Sequence, residues 1–424
     1  MASAPKGPVF ECRVARLLHH EGAFVRRAVD LQMHFGEPFT VTDVDVLALT
    51  FSPSLQRQVT VGECKTTEAR SAPSSADRLL WGAGVRRLVP GADRHMLATV
   101  KLASDRVRAL ARRLGAEVVD ERDLARREKL LGLDPDDLSG PHDPAFIDAE
   151  KKVFGFVKRD DELKRVWSFV RSDFWFLDEV YGLKRALGAL QLLARRWHAD
   201  LPAAEADAVR WLVEEGLASV VVSMIGVAGD CYRQPPDVFE RNLNHRLAEG
   251  MVPYGVMQQI SKEVDKYLLA ALREAGVDPA GKLDLLGALE PKPPLYAEPL
   301  MEVLERLASA TRATAELGRL LDERIAVRRG SPVPASAPAV PQATHGSLLL
   351  ETIATFLRAQ VKLSDDLLVP MLERANGTPE PADRSANHIE PPSAVNAPDG
   401  RAEAGAPSAD GNPGVAESLF RDET

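Results

Sequence analysis

The sequence predicts an α/β domain over residues 1–130, an all-α domain over 144–330 and a largely disordered tail over 376–424. Three observations carry that reading. Between residues 7 and 130, apolar residues recur first at helical and then at two-residue spacing, the mark of helices and strands taking turns. From 144 to 328 the spacing is helical throughout, with no strand signal. Beyond 376 the chain is polar and rich in Pro, Gly and Ala, too poor in apolar surface to order itself.

The first helix lies in Val9 to Val25, VFECRVARLLHHEGAFV. Phe10, Val14, Leu17 and Leu18 form its core stripe, and Glu11 flanks that stripe in register with Ala15 and Leu18. Gly22 ends the helix, and Ala23-Phe24-Val25 leads into a strand. Strands over about Val41–Phe51 and Arg57–Lys65 are joined by Ser52-Pro53-Ser54, a turn signal, and so form an antiparallel hairpin. Side chains two apart in a strand share a face. Asp43, Asp45, Leu47 and Leu49 therefore look one way on the first strand, as do Val59, Val61, Glu63 and Lys65 on the second. Asp45 falls beside Glu63 and Lys65 at the end of an apolar face. Helices over Asp77–Leu88, Ser104–Leu114 and Glu121–Glu128 then alternate with strands over His95–Val100 and Ala116–Asp120.

Burying a carboxylate or an ammonium is costly unless it is paired or binds metal. No other segment reads as placing ionised groups so firmly inside buried structure, so this cluster reads as a reaction centre. Asp45 and Glu63, with Glu11 as a third carboxylate, are the oxygen donors that Mg²⁺ or Mn²⁺ takes. Such an ion polarises a phosphoryl group and supplies hydroxide from bound water. Lys65 can stabilise the developing charge or orient the attacking water. Plainer readings stand beside these. Glu63 and Lys65 also read as a surface ion pair, Asp45 as an ordinary hairpin carboxylate and Glu11 as an exposed helix residue. Asp43 reads as solvated, His19 and His20 as a solvated helix end, and Cys64 as a small core residue.

FECRVARLLHHEG, TDVDVLAL and VGECK, in that order, resemble the PD-(D/E)XK nuclease superfamily in its Mrr-like restriction-endonuclease branch. The resemblance covers roughly residues 7–130 and departs from the usual pattern in lacking a proline before Asp45. It implies a restriction-endonuclease-like fold, a central mixed sheet flanked by helices. It implies a Mg²⁺- or Mn²⁺-dependent DNA endonuclease serving bacterial defence or DNA repair. Asp45, Glu63, Lys65 and Glu11 would be catalytic, with Asp45, Glu63 and Glu11 as metal ligands. The rival is a non-cleaving nucleic-acid-binding or protein-interaction adaptor that keeps the fold. RNA is a further candidate substrate.

Charge supports a polyanionic partner for the first domain alone. The net charge is −9, yet residues 1–130 hold more Lys and Arg than Asp and Glu. Arg86, Arg87, Arg94, Lys101, Arg106, Arg108, Arg112, Arg113, Arg126 and Arg127 are candidates for phosphate contacts or for a solvated helix face. Three separated cysteines form neither a disulfide framework nor a zinc pattern, and a cytoplasmic location is expected. The longest apolar run, Leu217–Ala228, is too short to span a bilayer. No membrane partner is expected.

The remaining divisions follow composition. Residues 131–143 read as a Pro/Gly/Asp linker and 331–346 as a Pro/Ala/Ser linker. The helical domain between them is expected to hold helices over Asp161–Trp197, Glu205–Ala228, Val238–Glu249, Tyr254–Ala275 and Ala297–Arg328. Residues 347–375 read as an isolated amphipathic helix, available to a protein partner or to self-association like the helical domain itself.

Overall fold

Alternating apolar residues in the first third build a five-stranded sheet in the computed structural model, which describes residues 6–35, 37–66, 73–89, 91–249, 254–277 and 292–372. The strands are β1 (Phe24–Phe35), β2 (Glu37–Phe51), β3 (Arg57–Lys65), β4 (Ala92–Thr99) and β5 (Ala116–Asp120), side by side in chain order. β1, β2 and β3 are antiparallel; β3, β4 and β5 are parallel. The mixture follows from the connections. A short turn joins β2 to β3, as an antiparallel pair allows, whereas a parallel neighbour needs a crossover helix. Those crossovers are α2 (Ser75–Leu88) and α3 (Asp105–Leu114). Ser74 and Asp77 close a capping box at the start of α2, and Ser104 caps α3.

Strand alternation sends two apolar sets to opposite faces. Val25, Val46, Ala48, Met96, Ala98 and Val119 meet Phe10, Val14, Leu17 and Leu18 of α1 (Lys6–His20) and Leu124 of α4 (Glu121–Leu130). Phe24, Leu47, Leu49, Val59 and Val61 face the other way and share one core with the helical region. That region comprises α5 (Ala145–Val157), α6 (Asp161–Arg171), α7 (Glu179–Arg196), α8 (Ala203–Arg233), α9 (Pro236–Ala248), α10 (Tyr254–Glu274), α11 (Ala297–Ser309), α12 (Thr311–Ala315), α13 (Leu317–Arg328), α14 (Ala343–Gln360) and α15 (Asp365–Leu372).

The helical region is packed onto the sheet, not tethered beside it. All described residues fall within one compact unit, Met1–Asn376. Two glycines permit the approach. A Cβ at Gly318 would meet the Phe24 ring at 2.8 Å, and one at Gly229 would meet the Leu55 carbonyl at 2.7 Å. The expected linkers are part of this packing. Arg16 donates to the carbonyls of Asp134 and Asp137, Leu133 is buried, and the Gly140 amide donates to Ser331 Oγ at 3.0 Å. Residues 131–143 are thus a strap pinned across α1, because backbone carbonyls satisfy a buried arginine there.

The helix expected to be isolated at 347–375 is docked within this unit. Over its described part it forms α14 and α15, with Leu350, Ile353, Ala354, Leu357 and Leu368 fully buried in the main core. A Pro/Ala/Ser composition before it masked a short return path. The tail over 376–424 lies outside the described residues.

Two expected long helices are broken. Asp161–Trp197 splits at Ser172, where a 3₁₀ turn over Asp173–Phe176 intervenes. Ala297–Arg328 becomes α11, α12 and α13. Ser309 and Thr314 donate their hydroxyls to the carbonyls of Arg306 and Leu307, competing with the helix ladder where it breaks. In contrast, the apolar run around Leu217–Ala228 lies in a longer helix than expected. α8 has 31 residues and is long and apolar enough to cross a membrane, but its apolar stretch is almost wholly buried among the other helices.

Candidate active site

Glu11, Asp45, Glu63 and Lys65 come from three elements that meet at one end of the sheet. Asp45 in β2 falls next to Val46, which pairs with Gly62, so hairpin register carries Asp45 to Glu63. The backbone amide of Cys64 donates to Asp45 Oδ2 at 2.6 Å and fixes that carboxylate. Glu63 is 6% exposed; Asp45, Lys65 and Glu11 are half-buried, and Asp43 is exposed as expected.

Burial first, and mutual repulsion second, disfavour the ionised forms of these carboxyls. Burial pushes the Glu63 carboxyl up to about 7; the neighbouring Asp45 adds to the rise while Arg78 opposes it. Burial likewise pushes Asp45 up to about 6, against the Cys64 amide that favours its ionised form. Glu11 is also raised, first by burial and then by Asp45, with Arg27 opposing. Three carboxylates that resist joint ionisation favour any cation that can enter among them.

Two features of this end were not legible in the sequence. Arg78 Nη1 lies 2.5 Å from Glu63 Oε1. The capping box of α2 sets the helix start, and with it the arginine one residue beyond Asp77. The second feature is Ala28. It lies between the Arg27–Val46 and Val29–Val44 pairs, opposite Asp45, with φ +50°. A left-handed alanine costs about 1–2 kcal/mol. The helical region holds this kink from outside, Arg171 donating to the Ala28 carbonyl at 3.2 Å and Ser172 Oγ to that of Asp30 at 2.7 Å. Lys65 donates to the Pro73 carbonyl, which holds its ammonium near the entry to α2.

Among the described residues, no group of three or more His, Cys, Asp or Glu is arranged to hold an ion. The donor chemistry still suits a hard cation, because Mg²⁺ needs only one or two carboxylates and otherwise keeps water. Asp45 and Glu63 are the pair that would hold it, with Glu11 acting from α1.

Other expected residues sit elsewhere or have partners. His19 and His20 are buried, not solvated, because α13 and the strap close over the end of α1. His19 Nε2 lies 3.2 Å from Glu323, and its ring packs edge-on to His20 and His142. Among the basic candidates, Arg108 pairs with Asp120 and Asp123, Arg126 with Asp123, and Arg127 with Glu21 and Glu117. Buried charge is also not peculiar to this end. Arg26 in β1 makes two bonds to Asp322, at 2.8 and 3.0 Å, and one to Glu215 at 3.1 Å. Arg329 joins Glu214 at 2.7 Å and Glu215 at 3.6 Å. This ladder ties β1 to α8 and α13.

No protein-family model, curated protein or solved structure matches the chain.

Proposed function

We propose that the chain is a metal-dependent endonuclease of the PD-(D/E)XK type, with a restriction-endonuclease-like N-terminal fold, that hydrolyses DNA phosphodiester bonds. The observation that carries the reading is the carboxylate cluster. Asp45 and Glu63, raised to about 6 and 7, stand at the end of the β2–β3 hairpin whose last residue is Lys65. An ion there would polarise the scissile phosphate and lower the pKa of water. Asp45, locked by the Cys64 amide, and Glu63 orient the donors. Lys65 bears on the charge that builds on the phosphate oxygens in the transition state. Exposed arginines such as Arg87, Arg94, Arg106, Arg112 and Arg113 supply sequence-independent backbone contacts.

Two observations favour the adaptor instead. The Arg78 guanidinium already offsets Glu63, so the fold can hold these acids without metal. The apolar residues Val256, Ile260, Val264 and Tyr267 along α10 are exposed and suit a protein partner. The two readings part in one assay. Full-length protein is incubated with supercoiled plasmid, linear duplex, single-stranded DNA and RNA, with Mg²⁺, Mn²⁺ or EDTA. Cleavage that needs the ion and is lost in Asp45→Ala supports the nuclease. Binding without cleavage under every condition supports the adaptor, and cleavage of RNA alone moves the substrate.

A further inference from the structure

We propose that the groove between α5, α8 and α13 is a nucleotide-binding site, distinct from the carboxylate end of the sheet. Its cavity measures about 560 Å³, which is the size of a small-ligand pocket. Its lining divides by chemistry. Phe146, Phe156 and Trp211 form an aromatic wall, while Lys152, Arg210, Arg328 and Arg329 supply four cations. Neither Asp45 nor Glu63 lines it.

Two acids line the groove beside those cations, Glu214 and Asp207, and both are already engaged. Glu214 has Arg329 at 2.7 Å and Arg328 at 3.8 Å, and Asp207 has Arg210 at 3.7 Å. Lys152 is exposed and makes no ion pair among the described residues. Arg329 is the pivot between wall and charge. Its guanidinium lies 3.6 Å from the Trp211 ring centroid and is held there by Glu214, with Nε at 2.8 Å and Nη2 at 2.7 Å. Arg329 thus joins the aromatic wall to the charged floor of the groove, and the exposed Lys152 and Arg210 at its rim are the cations placed to meet phosphate oxygens.

The ligand class follows from what fills both parts at once. A planar base stacks on an aromatic wall with little regard to its identity. Phosphate oxygens meet the cationic rim in charge-assisted bonds. An apolar molecule would leave the cations unused, and a bare phosphate would leave the aromatic wall wet. A mononucleotide uses both, and it needs no metal to do so.

Calorimetry on the full-length chain in EDTA tests this, with AMP, ADP, adenosine and inorganic phosphate as probes. AMP and ADP are expected to bind at least tenfold more tightly than adenosine or phosphate. The double variant Lys152→Glu with Arg210→Glu is expected to weaken AMP at least tenfold with an unchanged melting temperature. If that variant melts early, Lys152→Glu alone, at an exposed position, takes its place with a smaller loss expected. Asp45→Ala is expected to leave AMP binding intact. Phosphate binding as tightly as AMP would reduce the groove to an anion site and overturn the assignment. So would an absence of heat at millimolar nucleotide, or affinity unchanged by the charge reversals. Affinity lost in Asp45→Ala instead would place the nucleotide at the sheet end.

Discussion

Two clusters of buried charge border the same sheet, and they differ in how their signs are arranged. At the end of β2 and β3, burial raises the carboxyls of Glu11, Asp45 and Glu63, their like charge adds to the rise, and Arg27 and Arg78 offset it only in part. Behind β1, Arg26, Glu215, Arg329 and Glu214 alternate in sign. Glu215 is deeply buried, yet Arg26 and Arg329 hold it below the usual carboxylate range. Asp322 and Glu214 show the limit of such pairing, since burial raises both, Asp322 to about 6 against Arg26 and Glu214 against Arg329. Alternation of sign lets buried charges act as mortar between two layers. Repetition of sign leaves more negative charge than Arg78 alone offsets, and that imbalance is what separates a candidate reaction centre from structural ion pairing.

The sharpest break of this comparison is to remove one charge from each side. Arg26→Ala strands Asp322 and Glu215 in the interior and should destabilise the fold by about 3–5 kcal/mol, the range for half of a buried pair. Denaturant melts at neutral pH would show it; an unchanged midpoint would mean that the ladder is dispensable. Lys65→Ala should leave the melt alone but lower cleavage by about 10²–10³, the loss typical of one transition-state contact. Lys65→Arg should rescue poorly, since a planar guanidinium is no compact ammonium. Equal cleavage by wild type and Lys65→Ala would move the active site elsewhere.

Metal and pH sharpen the comparison further. Saturating Mg²⁺ or Mn²⁺ at pH 8 should stabilise the wild type by about 1–3 kcal/mol through binding to the folded state alone. Asp45→Ala should lose that gain, and a melting temperature indifferent to millimolar metal would argue for the adaptor. The sign for protons follows from linkage. Glu63 has a folded pKa of about 7 against an ordinary 4.5, so the folded chain holds a proton that the unfolded chain has lost. Its contribution therefore favours the fold below about pH 4.5 and declines as pH rises to about 7. His20 runs the other way. Burial lowers it from 6.5 to about 4, so its contribution favours the fold above about pH 6.5 and is lost as pH falls through 4. Glu63→Gln isolates the first effect. It should melt higher than wild type at pH 8, by roughly 1–3 kcal/mol, and nearly equal to it at pH 5. A constant difference across pH would contradict the raised carboxyl.

The smallest expected effect lies at the kink. Ala28→Gly removes the steric cost of φ +50° and should stabilise the fold by about 0.5–1 kcal/mol, read as a shift of the denaturant midpoint. Destabilisation instead would mean that the alanine methyl group supplies packing that outweighs the strain.

Local pattern alone determined the β2–β3 hairpin, its faces and the meeting of Asp45 with Glu63, whereas the Lys65 ammonium goes to the Pro73 carbonyl. A two-residue period and a short turn leave little freedom in a hairpin, and β3 and β5 run where the alternation puts them. The apolar glutamate-bearing stretch of α8 was equally visible, but the partners of Glu214 and Glu215 were not, because Arg26 and Arg329 lie more than a hundred residues away. Ion pairing at that range leaves no periodic trace. The same reason hid the burial of His19 and His20 beneath α13 and the docking of α14; Arg78 is only 15 residues from Glu63, but their pairing depends on how α2 packs on the sheet. Composition marked residues 131–143 as a linker, whereas a single buried arginine, Arg16, made them a strap. The sequence determined which groups are chemically able; tertiary packing decided which of them are neutralised, because compensation of a buried charge depends on distance in space and not along the chain.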